Sequence, residues 1–144
     1  MSEKPLSCVL LADRHHGLTE GVRGLLETAF GTVVMVADDA SLLEAAGRLR
    51  PDVAVVDLSL ARDSGLGWLR ALRQRSPDLK VIVLSIHDEQ AVRRAAMEAG
   101  ANAFVLKRAI ATDLLVAVEL VRGGRDAGAS INEKLKAGKS GIQD

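Results

Sequence analysis

The sequence has few of the residues that build disulfide frameworks, thiolate metal sites or nucleic-acid-binding surfaces. Its single cysteine, Cys8, excludes an internal disulfide and any zinc site made of several thiolates. Nineteen Lys+Arg balance nineteen Asp+Glu, so the net charge of zero does not favour a strongly basic, DNA-binding chain. The longest apolar runs, such as Cys8–Ala12 and Val53–Val56, are far shorter than the ~20 residues of a membrane span.

Two further absences narrow the class of protein. Residues Met1–Pro5 lack the basic, then apolar, then small-residue layout of a signal peptide, so we expect a cytoplasmic protein without membrane contact. Gly65-Leu-Gly67 lacks the third glycine of a dinucleotide fingerprint, and the sequence has no Gly-Lys-Ser/Thr phosphate loop. These absences disfavour a flavin- or nucleotide-binding protein.

What the chain does have is a regular alternation of short apolar runs and helical patterns. Over 144 residues, 48% of them hydrophobic, this predicts one α/β domain, a three-layer sandwich with a five-stranded parallel sheet between helices. The strand-like runs are Leu6–Ala12, Thr32–Ala37, Val53–Asp57, Val81–Ser85 and Ala103–Leu106. The helical patterns cover Leu18–Phe30, Leu42–Leu49, Leu66–Leu72, Val92–Ala99 and Leu114–Val121. Residues 1–122 form the predicted domain, and the glycine-rich 123–144 are predicted to be a linker or tail.

Helix ends are marked by polar residues and glycines. Ser41 and Glu44 form a predicted capping box, and Asp88 is placed to cap the fourth helix. Glycines follow three helical patterns, where a left-handed residue is expected. They are Gly31, Gly100, Gly123 and Gly124.

Four polar side chains follow different strands of the predicted sheet. In the strand order 2-1-3-4-5, Asp13 and Asp57 would flank the crevice where the order reverses, with Ser85 and Lys107 beyond them. Asp13 alone also fits a helix N-cap. Asp57 is harder to explain that way, because its next helix begins too far along the chain, and a buried carboxylate requires a nearby cation.

Other candidate residues have simpler interpretations. Asp38 and Asp39 end the predicted edge strand and read as a solvated turn. The neighbouring side chains of His15 and His16 should diverge, so we do not expect a histidine metal site. Trp68 is interpreted as a packing residue of the third helix.

With these residues in view, the chain resembles the receiver domain of bacterial two-component response regulators, especially of NarL/LuxR-type transcription regulators. The matching segments are Val9–Asp13 with Glu20–Val22, Pro51–Ser59 and Ala99–Lys107, and the resemblance covers residues 6–121. It implies the flavodoxin-like, CheY-like receiver fold with strand order 2-1-3-4-5.

The resemblance implies a phosphorylation switch. Asp57 would accept a phosphoryl group from the phosphohistidine of a histidine kinase. Mg²⁺ would be held by Asp13, Asp57 and the backbone carbonyl of Ser59. The domain would then be a signalling phosphoacceptor rather than an enzyme, except that it would catalyse its own phosphotransfer and dephosphorylation.

Three more residues receive roles by the same resemblance. Lys107 would pair with the acceptor carboxylate and then with phosphoryl oxygens, and Ser85 would hydrogen-bond the phosphoryl group. Phe104 stands where the family has its rotating aromatic switch, and it equally fits a core aromatic of strand five. The output face, made by the fourth helix, fifth strand and fifth helix, would support a homodimer or an effector.

Arg14 departs from the family, which usually has a second acid at this position as a direct metal ligand. Arginine stays charged and cannot ligate a cation. Either Arg14 turns to solvent and leaves a weaker site at Asp13 and Asp57, or it pairs with Asp57. The second arrangement is the alternative function, a phosphorylation-independent pseudo-receiver that serves as an interaction module.

NarL/LuxR-type regulators continue into a DNA-binding helix-turn-helix, for which residues 123–144 are too few. The chain is therefore expected to be either a truncated receiver or a stand-alone one. We expect no direct DNA contact by these residues, and DNA binding only through a helix-turn-helix outside this chain.

Overall fold

Five parallel strands form one sheet in the order β2-β1-β3-β4-β5. This computed structural model describes residues 7–61 and 65–123. The strands are β1 (Cys8–Ala12), β2 (Thr32–Val36), β3 (Val53–Asp57), β4 (Lys80–Ser85) and β5 (Ala103–Leu106). The helices are α1 (His16–Leu26), α2 (Asp39–Leu49), α3 (Gly67–Arg75), α4 (Gln90–Ala99) and α5 (Ile110–Arg122), with a 3₁₀ helix (Lys107–Ala109) before α5. The predicted fold class and strand order are confirmed.

The strands form where apolar runs can be buried on both faces of the sheet. All five residues of β3 are buried, including Asp57 at its carboxyl end. The sheet separates two apolar clusters, one against α1 and α5 and the other against α2, α3 and α4. This double cover is why nearly continuous runs of Val, Leu and Ile, rather than alternating patterns, predicted the strands correctly.

Two predicted helix caps are wrong. Asp38, not Ser41, caps α2, and its carboxylate accepts a 2.7 Å hydrogen bond from the backbone N–H of Ser41. Asp88 caps no helix, because α4 is preceded by Glu89 and the Asp88 carboxylate pairs with the Arg108 guanidinium at 3.0 Å. In both regions several neighbouring polar residues could occupy the N-cap position, and the sequence pattern indicates the wrong one.

Of the three predicted helix-terminal glycines within the described residues, one has the expected conformation. Gly100 ends α4 with φ +125°, a conformation that favours glycine. Gly31 and Gly123 have no positive φ, and Gly124 lies outside the described residues. The left-handed residue after α2 is Arg50, with φ 49°, which no sequence signal indicated.

Helix α1 ends four residues earlier than its apolar pattern predicts. The backbone N–H groups of Ala29 and Phe30 both donate to the carbonyl of Leu26, so the chain closes with a turn there. Phe30 is still buried. The guanidinium of Arg122, the last residue of α5, lies 4.8 Å from the centre of the Phe30 ring and donates to the Ala29 carbonyl.

Trp68 is buried in α3, as predicted for a packing residue. Among the described helices none has the length and apolar character needed to cross a membrane. The predicted tail, apart from Gly123 at the end of α5, lies outside the described residues.

Candidate functional site

The carboxyl ends of β1, β3, β4 and β5 bring Asp13, Asp57, Ser85 and Lys107 together at one edge of the sheet. Asp57 is 2% exposed and ends the central strand, in register with Leu84 of β4. The carboxylate of Asp57 is held from two sides. Its Oδ1 lies 2.8 Å from Lys107 Nζ, and its Oδ2 accepts a 2.6 Å hydrogen bond from the Ser59 hydroxyl.

Asp13 lies beside Asp57 and is also buried, at 4% exposure. Its Oδ1 accepts a hydrogen bond of 2.8 Å from the backbone N–H of His15, and its Oδ2 is 3.5 Å from Lys107 Nζ. Helix α1 is capped by His15, which makes no side-chain cap hydrogen bond. The N-cap interpretation of Asp13 is therefore wrong, and its carboxylate belongs to the polar cluster.

Lys107 is the cation that the buried carboxylates require. Its side chain is 13% exposed, because it enters the site from the start of the 3₁₀ helix that follows β5. One ammonium group contacts both acids, so two negative charges share one positive charge. With neutral histidine, the cluster of Asp13, Asp57 and Lys107 carries a net negative charge.

Arg14 does not pair with Asp57. Its side chain is half-buried, and no ion pair within 4.0 Å joins it to a carboxylate of the described residues. Of the two arrangements expected from the sequence, the second is not observed among the described residues, because the Arg14 guanidinium makes no ion pair with Asp57. The contact on which the pseudo-receiver alternative depends is absent here.

Ser85 and Phe104 are both buried. The hydroxyl of Ser85 accepts a 2.9 Å hydrogen bond from the backbone N–H of His87, in the loop between β4 and α4. The Phe104 ring is fully buried, with the guanidinium carbon of Arg93 from α4 at 5.6 Å from its centre. Phe104 therefore has the position of a core aromatic that also contacts the fourth helix.

A cavity of about 570 Å³ opens above these groups. Its polar end is formed by Asp57, Ser59, Ser85 and Lys107, together with two histidine side chains. Its apolar wall extends toward α4 and includes Ile86, a residue that is 70% exposed. A volume of this size can hold a phosphoryl group and part of its donor.

The donor set fits a divalent cation. One ligand atom each from Asp13, His15 and Asp57 lie within 4.8 Å of one another. Carboxylate oxygens are the ligands that Mg²⁺ prefers. The two acids are buried and together outnumber their lysine, so the charge of the site also favours a cation.

Comparison with known proteins agrees with this geometry. Residues 9–119 match the family model described as the response regulator receiver domain. The chain belongs to the response regulator receiver domain family.

This receiver is 34% identical over 129 residues to the transcriptional regulatory protein DegU of Brevibacillus brevis, covering 88% of this chain and 53% of DegU. It is 33% identical to the nitrate/nitrite response regulator NarP of Escherichia coli, covering 88% of this chain and 59% of NarP. The chain thus spans somewhat more than half the length of these relatives.

Solved structures give the same family. A LuxR-family response regulator from Aurantimonas sp. superposes with a TM-score of 0.76 at 30% identity, covering 83% of this chain and 87% of that one. The isolated receiver domain of RcsB from Salmonella enterica, solved with phosphomimetic BeF₃⁻, superposes with a TM-score of 0.73 at 25% identity. The match covers 83% of this chain and 91% of that one. The predicted resemblance to receivers of the NarL/LuxR type is confirmed. Receiver domains of this family are signalling domains and typically bind Mg²⁺ through acidic residues.

Sequence reasoning missed two contacts of this site. The adjacent histidines predict diverging side chains and no histidine metal site, yet His15 Nδ1 is 3.4 Å from Asp13 Oδ1 and 3.9 Å from Asp57 Oδ2. The family resemblance implies a role only for the Ser59 carbonyl, whereas the Ser59 hydroxyl donates a hydrogen bond to the Asp57 carboxylate. A polar residue two positions after a strand-terminal acid is the signal that could have identified both.

Proposed function

We propose that this receiver accepts a phosphoryl group on Asp57 from a histidine kinase. The observation that carries the proposal is the Asp57 carboxylate, buried at the end of the central strand and held at the floor of the cavity by Lys107. One carboxylate oxygen attacks phosphorus, the P–N bond to the kinase imidazole breaks, and its electron pair remains on that imidazole nitrogen. The product is an acyl phosphate on Asp57.

The side chains around Asp57 fit the charge changes of this transfer. Lys107 Nζ is close enough to neutralise the carboxylate before transfer and an equatorial phosphoryl oxygen after it. Ser85 supplies a hydroxyl that would turn from the loop backbone at His87 to the new phosphoryl oxygen. Asp13, Asp57 and the backbone carbonyl of Ser59 would hold Mg²⁺, which supplies further neutralisation of phosphoryl charge.

The output face would be formed by α4, β5 and α5. Ser85 begins the loop that leads to α4, and Arg93 of α4 contacts the ring of Phe104 in β5. A change at Ser85 would reach this face through the loop between β4 and α4, to whose backbone the Ser85 hydroxyl is bonded. Phosphorylation would favour a homodimer or the docking of an effector, and it would take place in the cytoplasm.

The wider role is transcription regulation in a two-component system. Receiver domains of this family interact with histidine kinases, and an RcsB structure contains two dimers bound to two parallel DNAs. In this protein DNA contact would be made by a region outside the chain. Self-catalysed phosphotransfer and hydrolysis of the acyl phosphate would be its only chemistry.

Intact-protein mass spectrometry after incubation with a small acyl phosphate and Mg²⁺ tests the proposal. The wild type should gain the mass of one phosphoryl group, and Asp57→Asn should not. Asp78→Asn, an exposed acid on the opposite edge of the sheet, is the matched control and should be modified like the wild type. Modification of Asp57→Asn to the same extent would overturn the assignment of the acceptor.

Arg14→Asp in the same experiment tests the pseudo-receiver alternative. We expect the wild type to be modified and Arg14→Asp to be modified faster, because a second carboxylate strengthens the cation site. An adduct in Arg14→Asp with none in the wild type would instead establish that Arg14 silences the domain.

A further inference from the structure

The side chain of His15 lies over the carboxylates of the candidate site. The hydrogen bond from its backbone N–H to Asp13 Oδ1 fixes the turn between β1 and α1. This turn brings His15 Nδ1 to 3.4 Å from Asp13 Oδ1 and 3.9 Å from Asp57 Oδ2. The imidazole is therefore the third donor group around the space between the two acids.

The two carboxylates divide their oxygens between a lysine side and a histidine side. Lys107 Nζ contacts Oδ2 of Asp13 and Oδ1 of Asp57, whereas His15 Nδ1 faces Oδ1 of Asp13 and Oδ2 of Asp57. A cation on the histidine side would not need to displace the ammonium group. Ligands around an ion with bonds of ~2.1 Å lie roughly 3–3.5 Å apart, so the distances of 3.4 Å and 3.9 Å from His15 Nδ1 to the two carboxylates need little or no contraction.

We propose that this receiver binds a borderline transition-metal ion, Zn²⁺, Ni²⁺ or Co²⁺, through His15 Nδ1 together with Asp13 and Asp57. The inference rests on the proposed function in that the same carboxylates serve phosphotransfer. An imidazole nitrogen is a good ligand for these ions, whereas Mg²⁺ requires oxygen ligands. Arg14 cannot ligate, so His15 is the next residue in the turn that can complete the set.

The surroundings of His15 suit a ligand that keeps part of the coordination shell open. Its side chain is 58% exposed, whereas those of Asp13 and Asp57 are 2% and 3% exposed. An ion held there would have buried carboxylates beneath it and the cavity above it, where water or a phosphoryl oxygen could complete its shell. The choice of cation would then determine how the acyl phosphate forms and decays.

Isothermal titration of the full chain with Zn²⁺, Co²⁺ and Mg²⁺ tests the inference. Transition ions bind most nitrogen and oxygen sites more tightly than Mg²⁺ does, so the diagnostic quantity is the part of the affinity that depends on His15. His15→Ala should lower the Zn²⁺ and Co²⁺ affinities tenfold or more and change the Mg²⁺ affinity less than twofold. The visible absorption of bound Co²⁺ should change in position and intensity in the same variant.

Two matched variants control for the other imidazoles. His87→Ala removes a histidine from the same cavity, and His16→Ala removes the neighbour in sequence. Both should keep the wild-type Zn²⁺ affinity. Unchanged Zn²⁺ affinity in His15→Ala, or an equal loss in His87→Ala or His16→Ala, would overturn the assignment of His15.

The phosphoryl-adduct experiment with Mg²⁺ separates this inference from the proposed function. If His15→Ala keeps wild-type Zn²⁺ affinity and is still modified on Asp57, only the metal preference is overturned. If the wild type shows a His15-dependent Zn²⁺ site but gains no adduct, the metal inference stands and phosphotransfer does not.

Discussion

The Ser59 hydroxyl donates a 2.6 Å hydrogen bond to Oδ2 of Asp57, two residues earlier in the chain. This bond stabilises the ionised carboxylate and occupies one oxygen of the proposed nucleophile. The reactivity of Asp57 is therefore set by a local turn as well as by Lys107 across the sheet.

Ser59→Ala should accelerate phosphorylation of Asp57 by a small acyl phosphate about three- to tenfold. The reason is that loss of a hydrogen bond of about 1 kcal/mol makes the carboxylate a stronger nucleophile. Adduct formation followed by intact mass over time measures the rate. Ser41→Ala, on α2, is the matched control and should react at the wild-type rate. A slower Ser59→Ala would show that the hydroxyl assists the transfer instead.

Lys107→Met should lower the free energy of unfolding by about 3 kcal/mol, because it leaves Asp13 and Asp57 buried without their shared cation. Asp57→Asn should change the stability by less than about 1 kcal/mol, since one acid and one lysine remain as a neutral pair. The double variant should recover only part of the loss, because Asp13 stays buried without a cation. Urea denaturation measures all three, and simply additive losses would contradict a shared charge cluster.

Acid should destabilise the wild type through Asp38. Hydrogen bonds from Ser41 hold the pKa of Asp38 below its ordinary value of 3.8. Because the folded pKa is lower than the unfolded one, the stabilisation is present above that ordinary value and is lost as the pH falls through the folded pKa. Asp38→Asn keeps a capping side chain that does not titrate.

The difference in unfolding free energy between wild type and Asp38→Asn should therefore decrease as the pH is lowered from about 6 to about 3. Chemical denaturation at a series of pH values provides the measurement. Asp39→Asn, which removes the neighbouring charge in the first turn of α2, is the control. Parallel pH curves for wild type and Asp38→Asn would contradict the prediction.

Two glycine substitutions should act in opposite directions. Gly100→Ala should destabilise the domain by about 1–3 kcal/mol, because its φ of +125° disfavours a side chain. The new Cβ would also lie 3.2 Å from Arg73 Cβ. Gly47→Ala, inside α2 with open space around it, should stabilise the domain by about 0.5–1 kcal/mol. Urea denaturation of both variants checks the signs.

The fold could be predicted because long-range order here follows from local patterns. Buried parallel strands need continuous apolar runs, and the polar residue that ends each run marks the edge where a site forms. This pattern predicts that Asp57, Ser85 and Lys107 share one edge of the sheet, which is where the structure has them. For Asp13 the same pattern allows two interpretations, since an acid after a strand is also typical of a helix cap.

The remaining details depend on choices between nearby groups of similar chemistry. Asp38 and Ser41 can both cap α2, and Asp88 could bond a helix end or Arg108. The position of His15 follows from the hydrogen bond between its backbone N–H and Asp13, and the hydrophobic periodicity of the sequence does not predict that bond. The alternative hydrogen-bonding arrangements differ in free energy by about 1 kcal/mol, so sequence patterns do not distinguish them.

Helix α5 has a consequence for whatever follows it in the chain. Its 13 residues extend about 20 Å from the 3₁₀ helix that carries Lys107. At its far end, the contacts of Arg122 with Phe30 and Ala29 fix the point from which the later residues depart. If Asp57 is phosphorylated as proposed, a signal that left through this end would have to pass along α5, since Lys107 lies just before the start of the helix and Arg122 at its end.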